Sequence, residues 1–279
     1  DLPIFVAHDS ADVWAAREWF RLDDRGRPTV VAGCPPDYFS ETGQRWGNPL
    51  YRWDRLREDG FRWWVARVGA ALRLVDVLRL DHFRGFEAFW EIPADRPTAE
   101  HGHWAPGPGA PLFEALREAF GGLPFLAEDL GVITDEVRAL RDDLGLPGMK
   151  VLQFGFDEGS DHHPDRVGER DVVYTGTHDN DTTLGWWEGL DDACRGRARE
   201  ALSGDDTRMP DDLIDAALRS AAPLAVVPVQ DWLGLGTEAR FNHPGEPDGN
   251  WRWRMAPGAL DDAWVERVAE RTAAAGRGA

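Results

Sequence analysis

The chain has 279 residues, 42% of them hydrophobic, with 50 acidic against 31 basic side chains and a formal net charge of −19. That length supports one large α/β domain with a substantial core, expected to span residues 1–279. The charge disfavours nucleic acid and anionic membrane surfaces, which both reward basic patches, so the expected partner is neutral.

In chain order, residues 2–7 (LPIFVA) predict a strand that starts at once, and a chain opening on Asp1 rather than Met is expected to lack a preceding portion. Residues 32–53, rich in Gly, Pro and aromatics, read as a long loop. Apolar residues at three- and four-residue steps, Phe61, Val65, Val68, Leu72 and Val75, predict a helix over 61–76 that runs straight into a strand at 75–80. A second long loop covers 84–110, followed by a strand at 124–127. After Thr134 come Asp135 and Glu136, then Val137, Leu140 and Leu144 on one face and Gly145 as the stop, which together predict a helix. Strands are predicted at 149–155, 172–177 and 224–229, with a helix from Pro210 to about Ala222. Residues 272–279 are expected to fray.

The strands are mostly continuous apolar runs rather than alternating ones, the pattern of parallel strands buried on both faces. Alternation of strand and helix argues for βα units. Three acids follow apolar runs directly, Asp81 after VLRL, Glu128 after FLA and Asp179 after VVYTGTH. Catalytic groups of a (β/α)8 TIM barrel project from the C-terminal ends of its strands, so this placement favours a barrel over a doubly wound sheet and lets three distant acids converge. Six strands are legible, and the two that closure still requires are expected in sequence before Asp1.

Converging acids suggest glycosidic bond chemistry, in which one carboxylate attacks and another shuttles a proton. Arg79, two residues before Asp81 on the same strand face, is placed to keep that acid ionised and oriented, as a nucleophile requires. Glu128 ends an apolar run and precedes Asp129; burial and a like charge both raise a carboxyl pKa, which suits a proton donor. His178 and Asp179 form a pair able to clamp adjacent sugar hydroxyls. Each motif also has a structural reading. An Arg-x-Asp on a strand is more often an ion pair, Asp129 can cap a turn, and residues 178–181 can begin a helix.

Fourteen tryptophans against three tyrosines supply flat faces that suit sugar rings as well as cores. Two cysteines, Cys34 and Cys194, lie far apart with no zinc-type spacing, so no disulfide framework is indicated and a reducing, cytoplasmic setting fits. No run reaches the ~20 apolar residues of a membrane span, and no signal segment opens the chain. No metal site or cofactor motif is legible.

Five segments make the sequence recognisable: PPDYFSETGQRWGNPLY (35–51), RLDHFRGFEAFWEIPA (79–94), FLAEDLGVIT (125–134), GLPGMKVLQFGFD (145–157) and YTGTHDNDTTLGWW (174–187). They closely resemble the amylomaltases, the 4-α-glucanotransferases of glycoside hydrolase family 77, and the resemblance covers almost the whole chain. It implies an α-amylase-type barrel with Asp81 as nucleophile, Glu128 as general acid/base and Asp179 as transition-state stabiliser, supported by Arg79 and His178. It further matches Asp9 to the acid at the end of the third barrel strand, although Asp9 is equally placed to cap the following helix. The acceptor-side loop corresponds to 35–51, with Tyr38, Phe39, Gln44 and Trp46 as sugar contacts. In PVQDWLGLGTEARFNHPG (228–245), Phe241 stands where the family usually has Met, followed by Asn242. Family members are longer, and this chain begins near their third strand.

The expected activity is transfer of α-1,4-glucan segments between maltooligosaccharides with retention of configuration. Two rivals stand beside it. A truncated, inactive chain would at most bind glucan, and a plain α-amylase-type hydrolase would share the acids but lack the acceptor loop.

Overall fold

A computed structural model describes all residues except 37–39, 205–206, 247 and 279. The chain divides into two compact units, Asp1–Gly148 and Met149–Ala279. Ten strands occur among the described residues: β1 (Leu2–Pro3), β2 (Val30–Cys34), β3 (Gln44–Pro49), β4 (Leu78–Asp81), β5 (Ala88–Pro93), β6 (His103–Pro106), β7 (Phe125–Ala127), β8 (Gly148–Val151), β9 (Asp171–Tyr174) and β10 (Leu224–Val226).

The first unit is built on a parallel sheet of order β1-β4-β7, in which Leu2 pairs with Leu80 and Leu80 with Ala127. Leu78, Leu80, Phe125 and Ala127 are buried, so the central strand is wrapped in apolar side chains. The helix Arg62–Leu72 buries Trp64 and Val68, and the helix Ala110–Phe120 buries Leu112, Phe113 and Leu116. Phe61 occupies the left-handed region (φ 53°) at the start of the first of these helices. Thr134 takes the N-cap position of the helix Asp135–Leu144, and Gly145 ends it in the left-handed conformation (φ 70°) that glycine adopts without strain. Tyr51 sits beneath β1, its hydroxyl donating to the Ile4 carbonyl at 2.8 Å. Leu80→Ala is expected to lower the unfolding free energy by about 2–5 kcal/mol, read from the urea midpoint, because Leu80 is 1% exposed and its loss leaves a cavity in the central strand.

Both spans expected to be long loops contain regular structure. Parts of 32–53 and 84–110 form an antiparallel sheet of order β3-β2-β5-β6. Val31 pairs with Ile92 and Trp90 with Trp104, while Arg21 forms an ion pair with the buried Glu91. A register shift between Val31 and Gly33 requires glycine there: a Cβ on Gly33 would stand 2.1 Å from the Gln44 carbonyl oxygen.

The second unit holds the sheet β10-β9-β8, in which β9 and β10 run parallel with Val173 opposite Ala225. Its core gathers Leu152, Phe156, Val167, Val173, Leu213 and Ala217. The helix expected from Pro210 runs Asp211–Arg219, and Arg271 of the helix Asp262–Ala274 pairs with Asp211 and Asp215 on it. Residues 272–274 extend that last helix rather than fraying, and 275–278 follow it. Each of the six strands read from sequence is present, shortened to between two and four residues. The class is α/β, with β1–β4, β4–β7 and β9–β10 as parallel pairs within two three-stranded sheets. No helix among the described residues is long and apolar enough to cross a membrane.

Candidate active site

In the first unit the parallel register that pairs Leu80 with Ala127 brings Asp81 and Glu128 to neighbouring strand ends. One further ladder bond, Glu128 N–H to the Leu80 carbonyl at 3.0 Å, carries the pairing past the end of β7. Adjacent strands lie about 4.8 Å apart, so the two acids arise from neighbouring backbone positions at the same level. Arg79 Nη1 donates to Asp81 Oδ1 at 2.7 Å and to Asp1 Oδ1 at the same distance. Arg79 is largely enclosed, and its charge fixes the Asp81 carboxylate on one side while the other stays accessible.

Glu128 is held differently. Its Oε2 accepts the His82 backbone N–H and its Oε1 the Leu130 backbone N–H, each at 2.8 Å. Burial pushes its pKa from 4.5 to about 7. The Arg79 charge and the two backbone donors pull the other way, and the Asp81 charge adds to the rise. The like charge comes from Asp81, whereas the sequence alone points to Asp129. Asp129 forms an ion pair with Arg141.

His82 links this pair to the segment expected to contact sugar. It occupies the left-handed region (φ 53°), which is uncommon for a side chain of its size and aims its backbone N–H at Glu128. Burial lowers its pKa to about 4, leaving the ring neutral near pH 7. Trp46 meets that ring edge to face, with centroids 4.8 Å apart, and Trp46 Nε1 donates to Gln44 Oε1 at 3.0 Å. Gln44 and Trp46 thus form one partly exposed group on β3. Tyr38 and Phe39 lie outside the described residues. Asp9 lies in the turn beyond β1 and is exposed; the N-cap of the next helix is Ser10, which accepts from Val13 N–H at 3.3 Å. Asp9 therefore does not cap that helix.

In the second unit, His178 and Asp179 stand on the loop 175–183 after β9. His178 Nε2 lies 3.5 Å from Asp179 Oδ2, and Asn242 Nδ2 donates to Asp179 Oδ1 at 2.6 Å. Arg240 donates to the Asp179 backbone carbonyl at 2.9 Å. Trp251 packs on both His178 and Phe241, each at 5.3 Å between centroids, so Phe241 fills space beside the acid's partner without touching its carboxylate chemistry. The helix Thr183–Gly189 is capped by Thr182, which leaves Asp179, Asn180 and Asp181 outside the capping role read for 178–181. Arg240 was not legible as a site residue, because only the folded chain brings it to a backbone carbonyl 61 positions away.

The profile of the 4-alpha-glucanotransferase family, glycoside hydrolase family 77, matches residues 1–260. The 4-alpha-glucanotransferase of Thermus thermophilus is 56% identical over 98% of this chain and 57% of its own length, and that of Aquifex aeolicus 50% identical over 91% and 53%. Among solved structures, an amylomaltase from Streptococcus agalactiae in complex with acarbose superposes with a TM-score of 0.94 at 36% identity, covering 99% of this chain and 57% of that one. The chain thus spans about half the length of the curated relatives it matches. On its sequence, over nearly its full extent, it belongs to glycoside hydrolase family 77, the family of the 4-alpha-glucanotransferases.

Proposed function

We propose that this chain carries the reacting groups of a retaining 4-α-glucanotransferase acting on maltooligosaccharides and α-1,4-glucan. The observation that carries the reading is the pairing of Asp81 and Glu128 on adjacent strand ends in opposite electrostatic settings: one carboxylate on an arginine, the other buried with its pKa near 7. Such a split separates a nucleophile from a proton donor. Asp81 attacks the anomeric carbon as the bond to the leaving oligosaccharide breaks, and Glu128 gives its proton to the departing oxygen. Glu128 then takes the proton from the 4-hydroxyl of an incoming sugar, whose oxygen displaces Asp81 and restores the original configuration. Asp179, oriented by Asn242 and flanked by His178, is assigned to hydroxyl contacts that strengthen as the ring flattens toward an oxocarbenium ion.

Transfer in place of hydrolysis requires that an acceptor sugar outcompete water. We assign that task to the segment 35–51, with the exposed Gln44–Trp46 group supporting the reading, and Tyr38 and Phe39 as further contacts. Asp9 is assigned a substrate contact on the same resemblance. The parallel strands are proposed to be parts of a (β/α)8 barrel in the whole protein, acting in the cytoplasm. Incubating the purified chain with maltotriose and resolving the products by length tests the reading. Glucose together with maltopentaose and longer chains is expected. Glucose and maltose alone would mean that water wins, and no product from a folded chain would favour a glucan-binding fragment.

A further inference from the structure

We infer that Asp231, outside the reacting set, is the positioning residue that closes the loop carrying His178 and Asp179; the inference rests on the role given to Asp179 above. Asp231 is 2% exposed. Its Oδ2 accepts the Thr175 hydroxyl at 2.6 Å and the Thr183 hydroxyl at 2.8 Å, and its Oδ1 accepts the Thr183 backbone N–H at 2.7 Å. Thr175 and Thr183 are the two ends of the loop, so one carboxylate staples its entry to its exit. No cation pairs with Asp231 among the described residues, and burial raises its pKa. A buried acid without a counter-charge costs stability, and here three hydrogen bonds from the loop ends offset that cost.

Packing alone does not fix the loop. A cavity of about 170 Å³ lies against it, lined by His178, Asp181, Gln230, Asp231, Arg240 and Phe241. With open space on that side, the loop depends on hydrogen bonds for its position. Asp231 holds the ends, while Gln153 Nε2 donates to the Asp181 carbonyl at 2.9 Å and Thr237 donates to Asp181 Oδ2 at 2.8 Å. Gly176 permits the close approach, since a Cβ there would stand 2.7 Å from Gln153 Nε2. Releasing the ends would let Asp179 drift from Asn242, and a displacement of about 1 Å at a reacting group can cost roughly a hundredfold in rate.

The test compares Asp231→Ala with Asp231→Asn in the full chain. Alanine removes every acceptor. Asparagine keeps one acceptor for the Thr183 N–H and offers its amide hydrogens to the two hydroxyls, so it serves as the conservative rescue. For Asp231→Ala, maltotriose transfer is expected to lose about 100-fold in kcat with KM within about threefold, and the Asn242 side-chain amide resonances should report loss of the 2.6 Å contact to Asp179. Asp231→Asn should restore most of both. A lowered thermal midpoint with kcat and the Asn242 resonances unchanged would overturn the inference. Should Asp231→Ala fail to fold, Thr183→Val against Thr183→Ser carries the same comparison, and equal behaviour of those two would overturn it. The resonances are readable without turnover, so a wild-type chain that performs no transfer would count against the proposed function while leaving this test intact.

Discussion

Asp81→Asn is expected to reduce transfer by at least about 10⁴-fold in kcat, the scale seen when a covalent nucleophile is removed. An amide oxygen cannot form a stable glycosyl ester, and the remaining groups only bind and polarise the substrate. Stability should hardly move. The Asp81 side chain is 41% exposed, and Arg79 keeps its second partner, Asp1. Arg79 is itself enclosed but stays paired, so losing this partly exposed ion pair is expected to cost about 1 kcal/mol. The measurement is product analysis from maltotriose beside a thermal melt. Turnover near the wild-type rate in a folded variant would remove Asp81 from the reaction and with it the double-displacement reading.

The second large effect belongs to Glu128 and has a defined dependence on pH. Leaving-group protonation needs the acid form, so kcat/KM should fall as pH rises through about 7. Glu128→Gln should remove that alkaline limb and about 10²–10⁴-fold of the rate. Stability carries an independent signature. Because the folded-state pKa is raised from 4.5, the native protein retains a proton that the unfolded chain has lost between about pH 4.5 and 7. The contribution of Glu128 to stability is therefore complete below 4.5 and lost as pH rises through 7, by at most about 3 kcal/mol. Glutamine does not titrate, but its amide nitrogen cannot accept from both His82 and Leu130, which imposes a cost of about 1–3 kcal/mol at every pH. The stability gap between wild type and Glu128→Gln should then narrow or reverse as pH climbs across this window. A gap independent of pH would place the Glu128 pKa near its ordinary value.

These expectations show where the amino-acid pattern was informative. The six apolar strands were legible because strands buried on two faces need continuous hydrophobic runs, and VLRL and FLA supply them. The antiparallel sheet was not. β3 reads QRWGNP with three exposed residues at its start, and β2 breaks its apolar run at Gly33 and Cys34, so neither shows an alternating period. The pairing that joins its two hairpins, β2 with β5, links residues 57–63 positions apart. Asp81 and Glu128 stood out because each ends a run. The source of the like charge on Glu128 did not, since consecutive residues along an extended backbone point to opposite sides and proximity in sequence misleads. Asp231 carries no local mark at all; its partners Thr175 and Thr183 lie 56 and 48 residues earlier.

The interleaved order β3-β2-β5-β6 also governs how the nascent chain assembles on the ribosome. β2 and β3 can close as a hairpin once Pro49 has emerged, but the other edge of β2 must wait for β5 at 88–93. While residues 50–87 are being synthesised, roughly 2–8 s at usual elongation rates, Val30, Val31 and Ala32 present an unpaired apolar edge. The strand bearing Asp81 is made within that interval, and β1 too remains without its partner β4 until then. Holdase chaperones that recognise short apolar segments would find their target here, and slowing translation beyond residue 50 would lengthen the exposure and lower the yield of folded protein.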